Sequence, residues 1–170
     1  MRGQRSNSCA VAESIIINTG PLITLARIDA LDIVERLPYE FLCPQQVRDE
    51  LDEGERVGYP RVAPPWLRVY ALTAPLSAIA LVGLDAGEAG VIQLALERRV
   101  PRICIDERKG RHVAQAVGLA VTETLGLLGR AKQLGLVSAL HPWLEKATQE
   151  GIRYDPELVR RVLEAAGENR

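Results

Sequence analysis

Aromatic side chains are scarce in this sequence: one Phe, two Trp and four Tyr among 170 residues. Stacking of unpaired bases on aromatic rings is therefore not an evident mode of nucleic-acid binding. Cysteine is scarcer still. Cys9, Cys43 and Cys104 are far apart and odd in number, which fits reduced thiols rather than a framework of bridges and offers no zinc-ligand spacing. No apolar run approaches the ~18–20 residues of a membrane span, so no membrane partner is expected. Behind Arg2 and Arg5 stands only Ala10-Val11-Ala12, short of the ~7–15 apolar residues of a signal peptide, and a cytoplasmic location is the expectation. Nucleotide motifs are missing as well. Gly83, Gly87 and Gly90 make no G-x-G-x-x-G after a first strand, and no G-x-x-x-x-G-K-S/T occurs. Nor is there an excess of one charge: 21 Lys and Arg stand against 22 Asp and Glu. A polyanion must then be met by a local patch rather than by the whole surface. One stretch offers such a patch, with Arg98, Arg99, Arg102, Arg108, Lys109 and Arg111 inside 14 residues; its plainer reading is a solvated helix end and loop.

What is present is the composition of an ordinary globular protein, 47% apolar and 25% charged, at a length suited to one domain. Residues 1–13 read as a flexible N-terminal tail and 14–167 as a single domain. Short β-branched or apolar runs at 14–17, 40–43, 102–106 and 119–122 read as buried strands, and 67–72 alternates as an edge strand would. Between them lie helical stripes: a short helix through Leu22, Leu25 and Ala26 with Thr19 as a cap, another at 31–37 opened by Asp29, and one started by Pro44. Residues 54–66 read as a loop. Asp85-Ala86-Gly87-Glu88 has the form of a capping box before a helix at 86–98, and a further helix covers 108–117. Helices at 124–134, 138–149 and 155–166 close the chain as a helical segment over 124–167. This alternation predicts an α/β protein, a three-layer α/β/α domain with a parallel central sheet and C-terminal helices.

Ligands of such sheets bind beyond the carboxyl ends of the strands. Strand one ends in Asn18, and the 102–106 strand runs into Asp106 and Glu107. Glu50 borders the apolar stripe of Val47 and Leu51, while Glu88 is in register with Val91, Ile92 and Ala95 on a buried face. A buried carboxylate is costly unless paired or bound to a cation. Several that converge on one crevice form a hard oxygen site for Mg²⁺ or Mn²⁺. Each acid also has a plainer role: Glu88 closes the capping box, and Glu50 and Glu107 are common helix-end residues.

Four segments in order, Ile16–Ile23, Cys43–Leu51, Leu84–Ala95 and Ile105–Ala114, resemble a PIN-domain protein of a prokaryotic PIN-like branch. The 126–137 stretch is similar to the C-terminal helices of that branch, so the resemblance spans about residues 15–167. It implies a Mg²⁺- or Mn²⁺-dependent ribonuclease, with RNA as substrate, an antitoxin protein as partner where the chain is a toxin, and a homodimer. It implies Asn18, Glu50, Glu88 and Asp106 as the acidic cluster, with Glu107 auxiliary and Thr19 beside Asn18. Glu50, Glu88 and Asp106 would be catalytic. At Asn18 a neutral amide stands where the family usually has its first aspartate.

Such a site cuts a phosphodiester with an ion-activated water rather than a protein nucleophile. Neither His112 nor His141 has a triad arrangement, and both read as structural or surface residues. Arg108, Lys109 and Arg111 lie beside Asp106, where a phosphate backbone would pass. Two other classes stay open. One is a PIN-like RNA- or protein-binding regulatory module whose site has decayed at Asn18. The other is an α/β phosphotransfer protein with an acidic pocket.

Overall fold

The computed structural model describes residues 12–78 and 80–168. Five strands, β1 (Glu13–Ile17), β2 (Tyr39–Pro44), β3 (Arg68–Tyr70), β4 (Arg102–Cys104) and β5 (Ala120–Thr122), form one sheet in the order β3-β2-β1-β4-β5. Every pairing is parallel. The register sets Ile16 between Leu42 and Ile103, at the centre of the sheet. Ile15, Ile16 and Ile17 are all buried. Successive strand residues point to opposite faces, so this run requires that both faces be covered.

Eight helices do the covering: α1 (Thr19–Arg27), α2 (Leu31–Glu35), α3 (Gln45–Arg56), α4 (Ala86–Arg98), α5 (Arg108–Ala116), α6 (Thr124–Gln133), α7 (His141–Gln149) and α8 (Pro156–Ala165). Helix α4 lies across β2, β1 and β4 and touches α3 and α5 on either side. Helix α6 packs between the α1–α2 pair and α8. The result is the expected three-layer α/β/α domain with a parallel sheet and closing helices.

Local expectations fail where a distant contact or a backbone angle overrides them. Thr19 is not a cap: Asn18 holds the N-cap position of α1, and Thr19 begins the helix. Asp29 does not open α2, because its φ of 55° is left-handed and Ala30 takes the cap position. The loop expected from residue 54 starts later, since α3 runs through Gly54 to Arg56 and stops before Gly58, whose φ of 100° suits a helix-ending glycine. The 102–106 strand ends at Cys104, although the Ile105 N–H still reaches the Thr122 carbonyl at 3.0 Å. The helix expected from 138 begins at His141. There the Glu168 carboxylate accepts from the backbone N–H groups of Leu140 and His141, at 2.7 and 3.4 Å, and so caps α7 from beyond α8. The expected tail lies outside the described residues as far as Val11, as does Cys9, and strand β1 already includes Glu13.

The basic stretch does not form one patch. Arg98, Arg99 and Arg102 precede or open β4, whereas Arg108, Lys109 and Arg111 follow it, so the strand separates the two groups. Arg98 stacks on the Tyr70 ring at 3.8 Å and Arg102 pairs with Glu13 at 3.0 Å.

Candidate functional site

The strand order reverses between β1 and β4, since β1 leads outward to β2 and β4 leads outward to β5. A crevice opens at such a point beyond the carboxyl ends of the two strands. Asn18 follows β1 there, and Asp106 and Glu107 follow β4. The Asn18 N–H donates to the Cys104 carbonyl at 3.0 Å, so the two chain segments leave the sheet side by side.

Around this point the structure brings Asn18, Thr19, Glu50, Glu88 and Glu107 together through three helix N-termini. Asn18 Nδ2 donates to Glu107 Oε2 at 3.5 Å, and Glu107 Oε1 would lie 2.6 Å from a Cβ added at Gly20 in the first turn of α1. Glu50, from α3, accepts from the Thr19 hydroxyl and from the Gly87 N–H at 2.8 Å. Its Oε2 would lie 2.5 Å from a Cβ at Gly87, in the first turn of α4. Glu88 accepts from the Asp85 N–H at 3.1 Å, while Asp85 accepts from the Glu88 N–H at 2.7 Å, which completes the expected capping box. Glu88 Oε1 in turn would lie 2.9 Å from a Cβ at Gly110, in the first turn of α5. Three carboxylates thus rest against glycines at the positive ends of three helices, where the backbone field favours anions. Gly20, Gly87 and Gly110 carry no side-chain chemistry, and none was a candidate site residue in the sequence; their signal was a glycine within the first turn of each helix.

Asp106 has a different partner. Its Oδ1 accepts from the Thr124 N–H at 2.8 Å and its Oδ2 from the Thr124 hydroxyl at 2.6 Å, so it serves the start of α6. Of the basic residues at this edge, Arg111 pairs with Glu123, and Lys109 Nζ lies against Gly83 in the loop before α4. Arg108 is exposed at the first position of α5. His112 is exposed on α5, and His141 Nδ1 lies 2.8 Å from Glu168; neither enters the crevice as a triad member.

Burial governs the protonation of the site. It raises the Glu88 carboxyl, helped by the charges of Asp85 and Glu107 and opposed by the Asp85 N–H and Lys109. It raises Asp106 as well, against the Thr124 hydrogen bonds and Arg111. The Cys104 thiol is pushed far up by burial, then by Asp106 and Glu107, and burial lifts Cys43 to about 12. Both thiols are neutral core groups.

A hard divalent ion fits this donor set in kind. Asn18 is 2% exposed and its Oδ1 is buried without a partner. An unsatisfied buried oxygen is costly, and a cation would satisfy it. Yet each carboxylate already has neutral donors, and among the described residues no three Asp, Glu, His or Cys side chains are grouped to hold an ion as they stand. Among the described residues, no helix is long and apolar enough to cross a membrane.

Comparison with curated proteins and with solved structures finds no match. A family model described as a PIN domain matches residues 14–168. PIN domains have a nuclease-type fold and are generally dependent on a divalent metal. With nearly the whole chain matched, and a parallel α/β/α sheet carrying acids at its switch point, the chain belongs to the PIN-domain family.

Proposed function

We propose that this chain is a metal-dependent ribonuclease of the toxin type, which hydrolyses RNA phosphodiesters with water as the nucleophile. The observation that carries the reading is the buried, unpartnered Asn18 Oδ1, beside the Glu107 carboxylate at the β1–β4 switch point. Asn18, Glu50, Glu88 and Glu107 would hold Mg²⁺ or Mn²⁺, and Asp106 would reach the ion through the lone pairs that Thr124 leaves free. When bound, the ion acidifies the attacking water and offsets charge on the phosphoryl oxygens. The chain's own part is to fix the acids on helix N-termini and to lower the local negative charge through Lys109 and Arg111. An antitoxin protein and a homodimer belong to this reading, and sedimentation checks the latter.

Cleavage of a generic single-stranded RNA with Mn²⁺, with and without chelator, tests it. We expect cleavage by the wild type that stops on chelation and is lost in Glu88→Gln. The neutral Asn18 favours a second reading, a PIN-like RNA- or protein-binding regulatory module. RNA binding that survives chelation, without any cleavage in Mn²⁺, selects that one.

A further inference from the structure

The crevice does not end at Asp106 and Glu107. It continues as a cavity walled by Thr24, Arg111, Arg153 and Tyr154, and past Arg111 and Leu158 it opens into a groove along β5, lined by His112, Gln115 and Arg161. The two stretches adjoin at Arg111, Glu123 and Leu158, which line both. The charge changes along the way. The first stretch carries four carboxylates, Asp106, Glu107, Glu123 and Asp155, against the guanidiniums of Arg111 and Arg153. The second carries Arg111, Arg161 and the His112 ring against Glu123 alone, and Glu123 is paired with Arg111.

Arg153 and Arg161 are both exposed, and neither has an ion pair among the described residues. Glu157, one turn before Arg161, is taken by Arg160. On α8 the apolar side, Leu158, Val159, Val162 and Leu163, packs on the core and fixes the helix beside the groove. Exposed guanidiniums, Arg161 on the packed α8 and Arg153 in the loop before it, beside a cavity lined by four carboxylates, match a chain of phosphates that passes along this face.

We infer that the closing segment is part of the substrate path: Arg153 and Arg161, with Arg111 and His112, hold backbone phosphates of the RNA strand that flanks the cleaved bond. This rests on the ribonuclease reading above. The contacts are to phosphate, so they position the strand without selecting its sequence.

The test is anisotropy of a fluorescein-labelled single-stranded 12-mer RNA with the full chain in chelator, across a salt series. Each lost phosphate contact on a single strand removes about 0.7 from the slope of log affinity against log salt, so Arg153→Ala with Arg161→Ala should lower it by about 1.4. Arg153→Lys with Arg161→Lys should keep most of the slope, and Arg36→Ala, in the turn before β2, should keep all of it. A wild type that binds and cuts RNA while the double Ala variant keeps its slope overturns the track alone. A wild type that neither binds nor cuts RNA overturns the ribonuclease reading and the track with it. Poly-glutamate bound in preference to RNA would assign the groove to an acidic protein and overturn the proposal.

Discussion

Asp106 and Thr124 are joined twice, backbone N–H to Oδ1 at 2.8 Å and hydroxyl to Oδ2 at 2.6 Å. Thr124 is fully buried. The acid that follows β4 therefore anchors the first turn of α6, where Glu123 at the cap position makes no side-chain cap bond. Asp106→Ala leaves a buried hydroxyl and an N–H without a partner, at a cost of about 1–3 kcal/mol. Asp106→Asn keeps an acceptor and should cost less. We expect thermal melts to show this order without metal, and the Mn²⁺-induced rise in Tm to shrink in both variants. An unchanged Mn²⁺ shift would leave Asp106 with its structural role only.

Asn18→Asp is nearly isosteric but removes the amide that donates to Glu107. The metal-free protein should lose stability through repulsion between the two carboxylates, while Mn²⁺ affinity and RNA cleavage should rise. Calorimetric titration of both proteins with Mn²⁺ measures the difference. Equal affinities would remove position 18 from the ligand set.

Glu88 gives the opposite sign in the apo protein. Its folded pKa lies above the ordinary carboxylate range because of burial, so the ionised group opposes folding at neutral pH. Gln keeps the reach-back of the capping box without the charge. Glu88→Gln should melt higher than wild type at pH 7 in chelator. The gain should fade as pH falls from above the raised folded pKa towards the unfolded value of roughly 4.3. With Mn²⁺ the order should reverse.

Glu168 runs the other way. Its burial opposes ionisation, but His141, the N–H groups of Leu140 and His141, and Lys132 hold its carboxyl below the usual range. Its contribution is complete above the unfolded pKa and is lost as pH falls through the lower folded one. Glu168→Ala should cost about 0.5–2 kcal/mol at pH 7, as for loss of a helix cap. Denaturant melts at pH 7 and at pH 3 should show a deficit that narrows in acid.

Much of the fold was legible because its signals are local. Ile15-Ile16-Ile17 could only be a strand covered on both faces, and Asp85 and Glu88 are three residues apart, so their capping box needs nothing from elsewhere in the chain. The expected positions of α4, α5 and α6 stand for the same reason. Asp29 and Gly54 misled because each is a plausible stop or start by composition, while the backbone angle and the neighbouring turn decide.

The residue types of the candidate site, Asn18 with Glu50, Glu88, Asp106 and Glu107, were determined by the sequence itself, as was their place after strands or on helices that begin at the same edge. Which of them face one another was decided by the tertiary structure. Asp106 turns to Thr124, eighteen residues on, and leaves Glu107 to meet Asn18 across eighty-nine. The three glycines matter only because carboxylates from other elements press on them. Six basic residues that are neighbours in the chain part company because β4, three residues or about 10 Å long, runs between them through the sheet. Sequence spacing fixes periodicity and capping, which depend on neighbours a few residues away; partner choice among buried polar groups depends on which distant elements the hydrophobic core brings to the same edge.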